Sequence, residues 1–275
     1  MSFYNILRKK IKTNRATICV IGLGYVGSAI IEKFDKRGFK TIGVDSDKTK
    51  LVANNNSRKM KLTNEYKYVN LADVIILALP TPLKKNMNPD LSYIKESLQK
   101  IKRFLKKGQL ISLESTTYPG TTEEIILPIL RKNKFKFSKD FFLVYSPERI
   151  SPELKVKDKT IKYKLHNTPK ICAGYSKECK SLALILYNKI TKTTVAASSL
   201  KLAEATKMIE NVFRSINIGL VNELKMFFNK INIDINEALD LADTKPFGFT
   251  KFNPGPGYGG HCIPLDPFYL YWLAK

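Results

Sequence analysis

Three closely spaced glycines constrain the fold of this chain more than any other feature. The stretch "ATICVIGLGYVGSAIIEKFDKRGFKTIGVDSD", residues 16–47, has the pattern of a strand, a tight turn, an amphipathic helix and a second strand. The turn carries Gly22, Gly24 and Gly27 in the spacing G-x-G-x-x-G, and Asp45 ends the second strand. Because the motif has the strand and helix that it requires, it predicts a Rossmann-type βαβ unit.

Each residue of this turn has a physical task in such a unit. Gly22 would allow the tight turn, Gly24 would let the backbone approach a pyrophosphate, and Gly27 would let the helix pack closely. The first helical residues, Tyr25 and Val26, would present free N–H groups and the positive end of the helix dipole to phosphates. We therefore expect a dinucleotide here, with an empty Rossmann-like turn as the alternative.

Asp45 indicates which dinucleotide would bind. Its carboxylate would accept hydrogen bonds from the adenosine ribose hydroxyls, and its charge disfavours a 2′-phosphate. The sequence therefore predicts NAD rather than NADP.

The alternation of strands and helices continues through the first two thirds of the chain. The runs "ADVIILALP", "QLISLES" and "DFFLVYSPER" are typical of strands, as are "PKICAGY" and "TTVAAS", and helical segments separate them. This order predicts an α/β fold with a doubly wound parallel sheet covered by helices. Ligands of such sheets bind beyond the carboxyl ends of the strands, where Thr116 and Glu148 are expected.

The pattern becomes helical from about Ser199. The segment "LKLAEATKMIENVFRSINIGLVNELKMFFNKI" predicts one long helix, and "DINEALDLAD" predicts a second. We place a domain boundary near Ser198, which gives a Rossmann-like domain over 1–198 and a central helical domain over 199–275. Lys207 and Asn211 are four residues apart and share one helix face, although alone they would be interpreted as surface residues.

Composition excludes several classes of function. The formal net charge is +23, but the positive charge is mostly lysine spread along all 275 residues, without a nucleic-acid-binding motif. We expect no nucleic-acid partner and a positive field that attracts anionic ligands. No apolar run is long enough to span a bilayer, and the basic N-terminus lacks the apolar core of a signal peptide. We therefore expect a soluble cytoplasmic protein without a membrane partner.

Of the four cysteines, only one has a setting that suggests chemistry. Cys19 and Cys172 lie in apolar strand-like runs, and Cys179 lies in a polar helical segment. None forms a C-x-x-C pair or has histidines at zinc spacing, so no metal site is predicted. Cys262 lies in "GPGYGGHCIPLDP", behind four glycines and four residues before Asp266.

Five motifs in order give the chain a family resemblance. "GLGYVG", "EST" before "PGTT", "YSPER", "EATKMIENVFRSINIGLVNEL" and "NPGPGYGGHCIPLDPFYL" together resemble the UDP-glucose/GDP-mannose dehydrogenase family. The last two are most similar to the branch that oxidises UDP-N-acetyl-hexosamines, such as UDP-N-acetylglucosamine 6-dehydrogenases. The resemblance implies NAD as cofactor, a UDP-sugar substrate, and a product used in surface polysaccharide biosynthesis. It also implies a homodimer or higher homo-oligomer built on the central helical domain.

The resemblance implies a role for each matching residue. Cys262 would be the nucleophile, and Lys207 and Asn211 would stabilise oxyanions at the reacting carbon. Glu148 and Asp266, with Thr116, would surround a water that moves protons and hydrolyses an intermediate. Further ligand contacts are implied for Thr81 and Thr116 with the cofactor, and for Glu148, Arg149, Lys207, Asn211, Gly257, Gly259, Gly260 and His261 with the substrate.

The chemistry explains why these residue types are needed. Oxidation of a C6 alcohol to a carboxylate removes four electrons, so it requires two hydride transfers. A thiolate adds to the intermediate aldehyde, the thiohemiacetal loses the second hydride, and water hydrolyses the thioester. A cation and hydrogen-bond donors stabilise the developing oxyanion, and a carboxylate manages protons.

The chain also departs from the family pattern. The family carries a further UDP-binding domain after the helical region, whereas this sequence ends at Lys275, so we expect that domain to be absent. Glu153 stands where the acetamido-sugar branch often has glycine. We expect weak or no turnover from the 275 residues alone, because much of the substrate-binding energy would be missing.

Several alternatives remain open from the sequence. The chain could be a truncated, inactive NAD-binding fragment, or a module that needs a partner chain. It could also be a UDP-glucose or GDP-mannose 6-dehydrogenase. Hydroxyacid dehydrogenases of the 6-phosphogluconate type share the fold and a helix lysine and asparagine, but lack the cysteine loop and perform one hydride transfer.

Overall fold

The computed structural model describes residues 1–51, 60–131, 135–149, 167–260 and 263–275. His261, Cys262 and Glu153 lie outside the described residues. Contacts divide the chain into two compact units: the first contains 1–82 and 90–205, and the second contains 83–89 and 206–275. The sequence boundary near Ser198 stays a prediction.

The first unit is an α/β structure, as expected. Its strands are β1 (Thr17–Ile21), β2 (Lys40–Val44), β3 (Met60–Thr63), β4 (Val74–Leu77), β5 (Gln109–Leu113), β6 (Phe141–Tyr145), β7 (Lys170–Gly174) and β8 (Thr194–Ala196). Its helices are α1 (Phe3–Lys12), α2 (Tyr25–Lys36), α3 (Ser92–Ile101), α4 (Leu127–Arg131) and α5 (Lys177–Tyr187). A π-helical turn at Thr122–Ile126 precedes α4.

The strands form one eight-stranded sheet in the order β3-β2-β1-β4-β5-β6-β7-β8. The six strands from β3 to β6 are parallel, and their last residues align in a single row. This row consists of Thr63, Val44, Ile21, Leu77, Leu113 and Tyr145. The chain therefore leaves six neighbouring strands at one edge, which is where a Rossmann fold binds its ligand.

The predicted doubly wound sheet is mostly parallel, and it departs from the parallel order where β7 pairs with β6. β7 runs antiparallel to β6, with Tyr145 opposite Ala173, and β8 is parallel to β7. A β7 parallel to β6 would require the chain to cross back from the carboxyl end of β6 to the opposite end of the sheet before β7 could begin. Because the chain returns at the edge where β6 ends, Lys170 at the start of β7 lies near the end of β6.

The sequence analysis assigned no element to the basic N-terminus, yet it forms α1. Ser2 caps this helix, and its Oγ accepts a hydrogen bond from the backbone N–H of Asn5. Leu7 and Ile11, one turn apart, are buried in the same core cluster as residues of α5. Lysines on the outer face hid this amphipathic pattern.

Three cysteines belong to the core of the first unit. Cys19, Cys172 and Cys179 are all free and buried, including Cys179, whose helix looked polar in sequence. Burial raises the pKa of the Cys19 thiol to about 12. Burial also raises the pKa of the Cys172 thiol to about 12, so both thiols stay protonated and unreactive.

Helices dominate the second unit. α6 (Leu200–Lys230) is a helix of 31 residues whose part from Thr206 belongs to this unit, and α7 (Ile235–Asp243) and α8 (Asp266–Ala274) follow. α6 continues through Gly219, and the ring of Tyr258 packs 3.3 Å from the position that a Cβ there would occupy. No helix among the described residues is long and apolar enough to cross a membrane.

Candidate active site

The glycine turn connects β1 to α2 at the carboxyl edge of the sheet. Gly22 has φ +92°, and a Cβ there would lie 2.3 Å from the carbonyl oxygen of Ala78. A Cβ on Gly27 would lie 1.8 Å from the carbonyl oxygen of Gly22. Only glycine allows both the left-handed turn and the close packing of α2 against it.

Gly24 differs from the other two glycines. A Cβ there would have nothing within 4 Å, and Gly24 occupies the N-cap of α2 without any side-chain cap. The N-terminus of α2, which includes Tyr25 and Val26, therefore lies behind an open backbone surface. This arrangement fits the pyrophosphate of a dinucleotide, because the backbone N–H groups and the positive dipole end of a helix N-terminus favour anions.

Asp45 joins the end of β2 to this turn. Its side chain is 8% exposed; Oδ2 accepts a hydrogen bond from the Leu23 N–H at 2.7 Å, and Oδ1 accepts one from the Asp47 N–H at 2.9 Å. Each carboxylate oxygen has a second lone pair available for a ligand hydroxyl. The carboxylate also orders the turn itself, which the sequence analysis did not foresee.

Two predicted residues follow neighbouring strands at the same distance. Leu113 pairs with Tyr145, so Thr116 and Glu148 each lie three residues beyond one register pair. Between β4 and β5, the Ser115 hydroxyl accepts from the Leu79 N–H at 2.9 Å and donates to the Leu79 carbonyl at 2.7 Å. This bridge joins the segment that leads to Thr81 with the segment that carries Thr116.

Glu204, at the start of α6, holds the segment that follows Thr116. Its buried carboxylate accepts hydrogen bonds from the Gly120 N–H at 2.5 Å, and from the N–H and Oγ1–H of Thr122 at 2.9 and 2.6 Å. Burial raises the pKa of this carboxyl group, although the three donors oppose that effect. Sequence reasoning missed it, because its partners lie more than eighty positions earlier in the chain.

Glu148 belongs to a buried charge cluster that sequence reasoning also missed. The Lys170 ammonium donates to Glu148 Oε2 at 3.0 Å and to Glu114 Oε2 at 2.6 Å. The side chains of Lys170 and Glu114 are 2% and 0% exposed. Glu114 directly follows β5, but nothing local to the pattern "QLISLE" indicates a lysine fifty-six residues away.

Tyr187 on α5 completes this cluster. Its hydroxyl donates to Glu114 Oε1 and forms a 2.7 Å hydrogen bond with Ser112 Oγ. Burial raises the pKa of Glu114 to about 7, because one lysine is shared between two carboxylates and only partly offsets the desolvation. Burial alone would lower the pKa of Lys170, but the two carboxylates outweigh burial and raise it above its usual range.

In the second unit, two predicted site residues are in contact. Asn211 on α6 donates from Nδ2 to Oδ2 of Asp266 at the start of α8, and the two residues are 5% and 3% exposed. Lys207 precedes Asn211 by one helical turn and is partly exposed. An amide fixed by a carboxylate, with a lysine one helical turn away, supplies a hydrogen-bond donor and a cation of the kinds that stabilise an oxyanion.

The glycine-rich loop of this unit is attached to α6. Asn222 Oδ1 accepts from the Gly255 N–H at 2.8 Å, and its Nδ2 donates to the Gly257 carbonyl at 3.4 Å. Gly259 and Gly260 are exposed and have φ of +67° and +71°, which strongly favours glycine at both positions. Within the described ranges, no group of three or more His, Cys, Asp or Glu residues could hold a metal ion.

The parallel strand order and the glycine turn define a dinucleotide-binding protein of the Rossmann class. Residues 48–191 match the model for the UDP-glucose/GDP-mannose dehydrogenase family, NAD binding domain. Residues 201–275 match the model for the central domain of the same family. The chain belongs to the UDP-glucose/GDP-mannose dehydrogenase family, and both the predicted family and the predicted cofactor, NAD, are confirmed.

The chain is similar in sequence to dehydrogenases named for UDP-N-acetyl sugars. The chain is 37% identical over 275 residues to a UDP-N-acetyl-D-glucosamine 6-dehydrogenase of Pseudomonas aeruginosa, covering 94% of this chain and 63% of that protein. It is 30% identical over 278 residues to a UDP-N-acetyl-D-mannosamine dehydrogenase of Pyrococcus horikoshii, covering 94% and 64%.

A solved structure agrees with this comparison. The structure of a UDP-D-ManNAc dehydrogenase from Pyrococcus horikoshii superposes with a TM-score of 0.84 at 30% identity, covering 94% of this chain and 65% of that one. The present chain thus spans less than two thirds of the length of these relatives.

Proposed function

We propose that this chain carries the catalytic residues of an NAD-dependent oxidation that converts the C6 alcohol of a UDP-N-acetyl-hexosamine to a carboxylate. The observation that carries the proposal is the row of aligned strand ends. Asp45, the glycine turn, Thr116 and Glu148 all follow residues of that row. The two relatives, dehydrogenases of UDP-N-acetyl-D-glucosamine and UDP-N-acetyl-D-mannosamine, support an acetamido sugar as the substrate.

The residues divide the work in this proposal. NAD supplies the hydride acceptor when it is bound at the glycine turn. Cys262, outside the described residues, adds to the aldehyde, and Lys207 and Asn211 stabilise the resulting oxyanion. Glu148 and Asp266, with Thr116, direct the water that hydrolyses the thioester and take up its proton.

Calorimetric titration tests the cofactor half of the proposal. We expect NAD to bind the 275-residue chain. Asp45→Ala should lower the NAD affinity by about tenfold or more, because both the ribose and the Leu23 N–H of the turn would lose a hydrogen-bond acceptor. Asp47→Ala is the control, because the Asp47 side chain is exposed and, among the described residues, its polar partners are Thr49 and Lys50 of the same loop. Equal NAD affinity in all three proteins would contradict the assigned NAD site.

A stoichiometric assay tests the reaction. With UDP-N-acetylglucosamine or its mannosamine epimer, two NADH should form for each sugar oxidised, whatever the rate. Oxidation of UDP-glucose or GDP-mannose instead would change the substrate assignment. One NADH per substrate would favour a single-transfer hydroxyacid dehydrogenase.

We also propose that α6 pairs with α6 of a second copy to form a homodimer. Ile209, Phe213, Ile216, Leu220 and Phe227 are each more than half exposed, at spacings of 4, 3, 4 and 7 residues. This 3.5-residue period is the one that keeps a seam of apolar side chains facing a partner helix. A self-complementary stripe is what a two-fold interface requires.

A charge on this stripe should separate the copies. We expect Ile216→Glu to halve the mass measured by light scattering at micromolar concentration, since a desolvated carboxylate would face apolar side chains. Lys225→Glu is the control, because Lys225 is exposed on the opposite face of α6. A monomeric parent chain, or an Ile216→Glu protein that keeps the mass of the parent, would contradict the proposed dimer.

A further inference from the structure

We propose that Lys170, anchored by Glu114, is a positioning residue that orients the Glu148 carboxylate for its part in the reaction. The inference rests on the proposed function, in which Glu148 manages protons. Lys170 reaches Glu148 because β7 is antiparallel to β6, which brings the start of β7 beside the end of β6.

The Lys170 ammonium has no donor left for a ligand. Its three acceptors are Glu114 Oε2 at 2.6 Å, Glu148 Oε2 at 3.0 Å and the Pro147 carbonyl at 3.3 Å. An ammonium group has three N–H donors. With all three engaged inside the protein, Lys170 acts on the reaction through the groups that it holds.

The Glu148 carboxylate is fixed at both oxygens. Oε2 accepts from Lys170, and Oε1 accepts from the backbone N–H of Arg149 at 2.7 Å. Two donors in fixed positions define the plane of the carboxylate. A carboxylate oxygen has two lone pairs, so a single hydrogen bond does not use up its capacity as an acceptor.

Glu114 and Tyr187 connect Lys170 to the core. Glu114 Oε1 accepts from the Tyr187 hydroxyl, which also bonds Ser112 inside the sheet. Both Glu114 and Tyr187 are buried. Packed strand and helix residues therefore set the position of Glu148 Oε2 through Lys170, and the loop itself holds Oε1.

Stability alone does not explain this cluster. Placing one ammonium and two carboxylates in a buried site is costly, and apolar residues of similar volume often stabilise a fold at least as well. This free-energy cost is expected where a functional carboxylate must be held in one orientation at the ligand-binding edge of the sheet.

A double-mutant cycle tests the inference. We expect Lys170→Met to lower kcat by about 100-fold with little change in KM, and Lys170→Arg to retain more activity. In a Glu148→Gln background, Lys170→Met should change kcat by less than about threefold, because its target is already lost. If the double variant loses kcat by the product of the two single losses, the inference is overturned. Full activity of Glu148→Gln would instead contradict the role given to Glu148.

A second measurement does not depend on turnover. In protein labelled with ¹³C at glutamate carboxyl carbons, the Glu148 signal is the one that Glu148→Gln removes. Lys170→Met should move this signal at neutral pH, whereas Lys10→Met should not, since Lys10 pairs with Asp73 at 2.6 Å at the other end of β4. An unmoved Glu148 signal would overturn the inference, even if the wild-type chain forms no NADH.

NAD binding and thermal unfolding show whether each variant is folded. If Lys170→Met does not fold, the combination of Lys170→Met with Glu114→Gln removes one buried carboxylate together with its cation. The Glu148 signal should still move in that protein, and an unchanged signal there would equally overturn the inference.

Discussion

Serine in place of Cys262 should stop the oxidation at the aldehyde. A serine hydroxyl is not ionised near neutral pH as a thiol can be, so the acyl intermediate would not form. We expect carboxylate formation to fall by about 1,000-fold or more, and the yield to fall from two NADH to at most one per sugar. Absorbance of NADH, with hydroxylamine to trap the aldehyde, measures both.

A buried cysteine provides the control for this substitution. Cys19→Ala should keep two NADH per sugar, because burial holds the pKa of that thiol at about 12 and removes it from chemistry. It should lower only thermal stability. A Cys262→Ser protein that still releases the carboxylate with two NADH would show that this thiol is not the nucleophile.

Alanine at Gly27 should abolish NAD binding and destabilise the first unit. The added Cβ would lie 1.8 Å from the Gly22 carbonyl oxygen, so α2 would have to move away from the turn that it supports. We expect a loss of about 2–4 kcal/mol in the free energy of unfolding and of about 100-fold or more in NAD affinity. Thermal unfolding and calorimetry measure these two effects separately.

Gly24→Ala distinguishes packing from binding. A Cβ at Gly24 meets nothing within 4 Å, so the protein should fold with nearly unchanged stability. NAD affinity should nevertheless fall, because the methyl group would stand in the open space in front of the α2 N-terminus. A Gly24→Ala protein that binds NAD normally would place the pyrophosphate elsewhere, and a Gly27→Ala protein of unchanged stability would contradict the close packing.

The features that sequence reasoning predicted correctly are those encoded locally. The turn at Gly22 and Gly24, the strands that flank it and α6 each follow from spacing within a few residues. The parallel direction of the first six strands follows from the strand–helix alternation. The same reasoning placed Thr116 and Glu148 at the ends of adjacent strands, and the register agrees.

The features that were missed depend on distant parts of the chain. The sequence "PKICAGY" does not indicate whether β7 runs parallel or antiparallel to β6, since the same residues form a strand in either direction. Lysine is rarely buried, so Lys170 gave no signal until Glu114 and Glu148 were placed beside it. α1 was hidden by its lysines, and the burial of Cys179 was hidden by polar neighbours on α5.

The reversal of β7 has a consequence for the segment that joins it to β6. Antiparallel neighbours can be connected by as few as two residues, yet the chain runs from Ser146 to Pro169 between these strands. The ends of that segment are already joined, because Arg149 Nη1 donates to the Pro169 carbonyl at 2.9 Å. The pairing of β6 with β7 therefore does not fix the length of this segment, and residues can be inserted or removed between Arg149 and Pro169 while the strands keep their register.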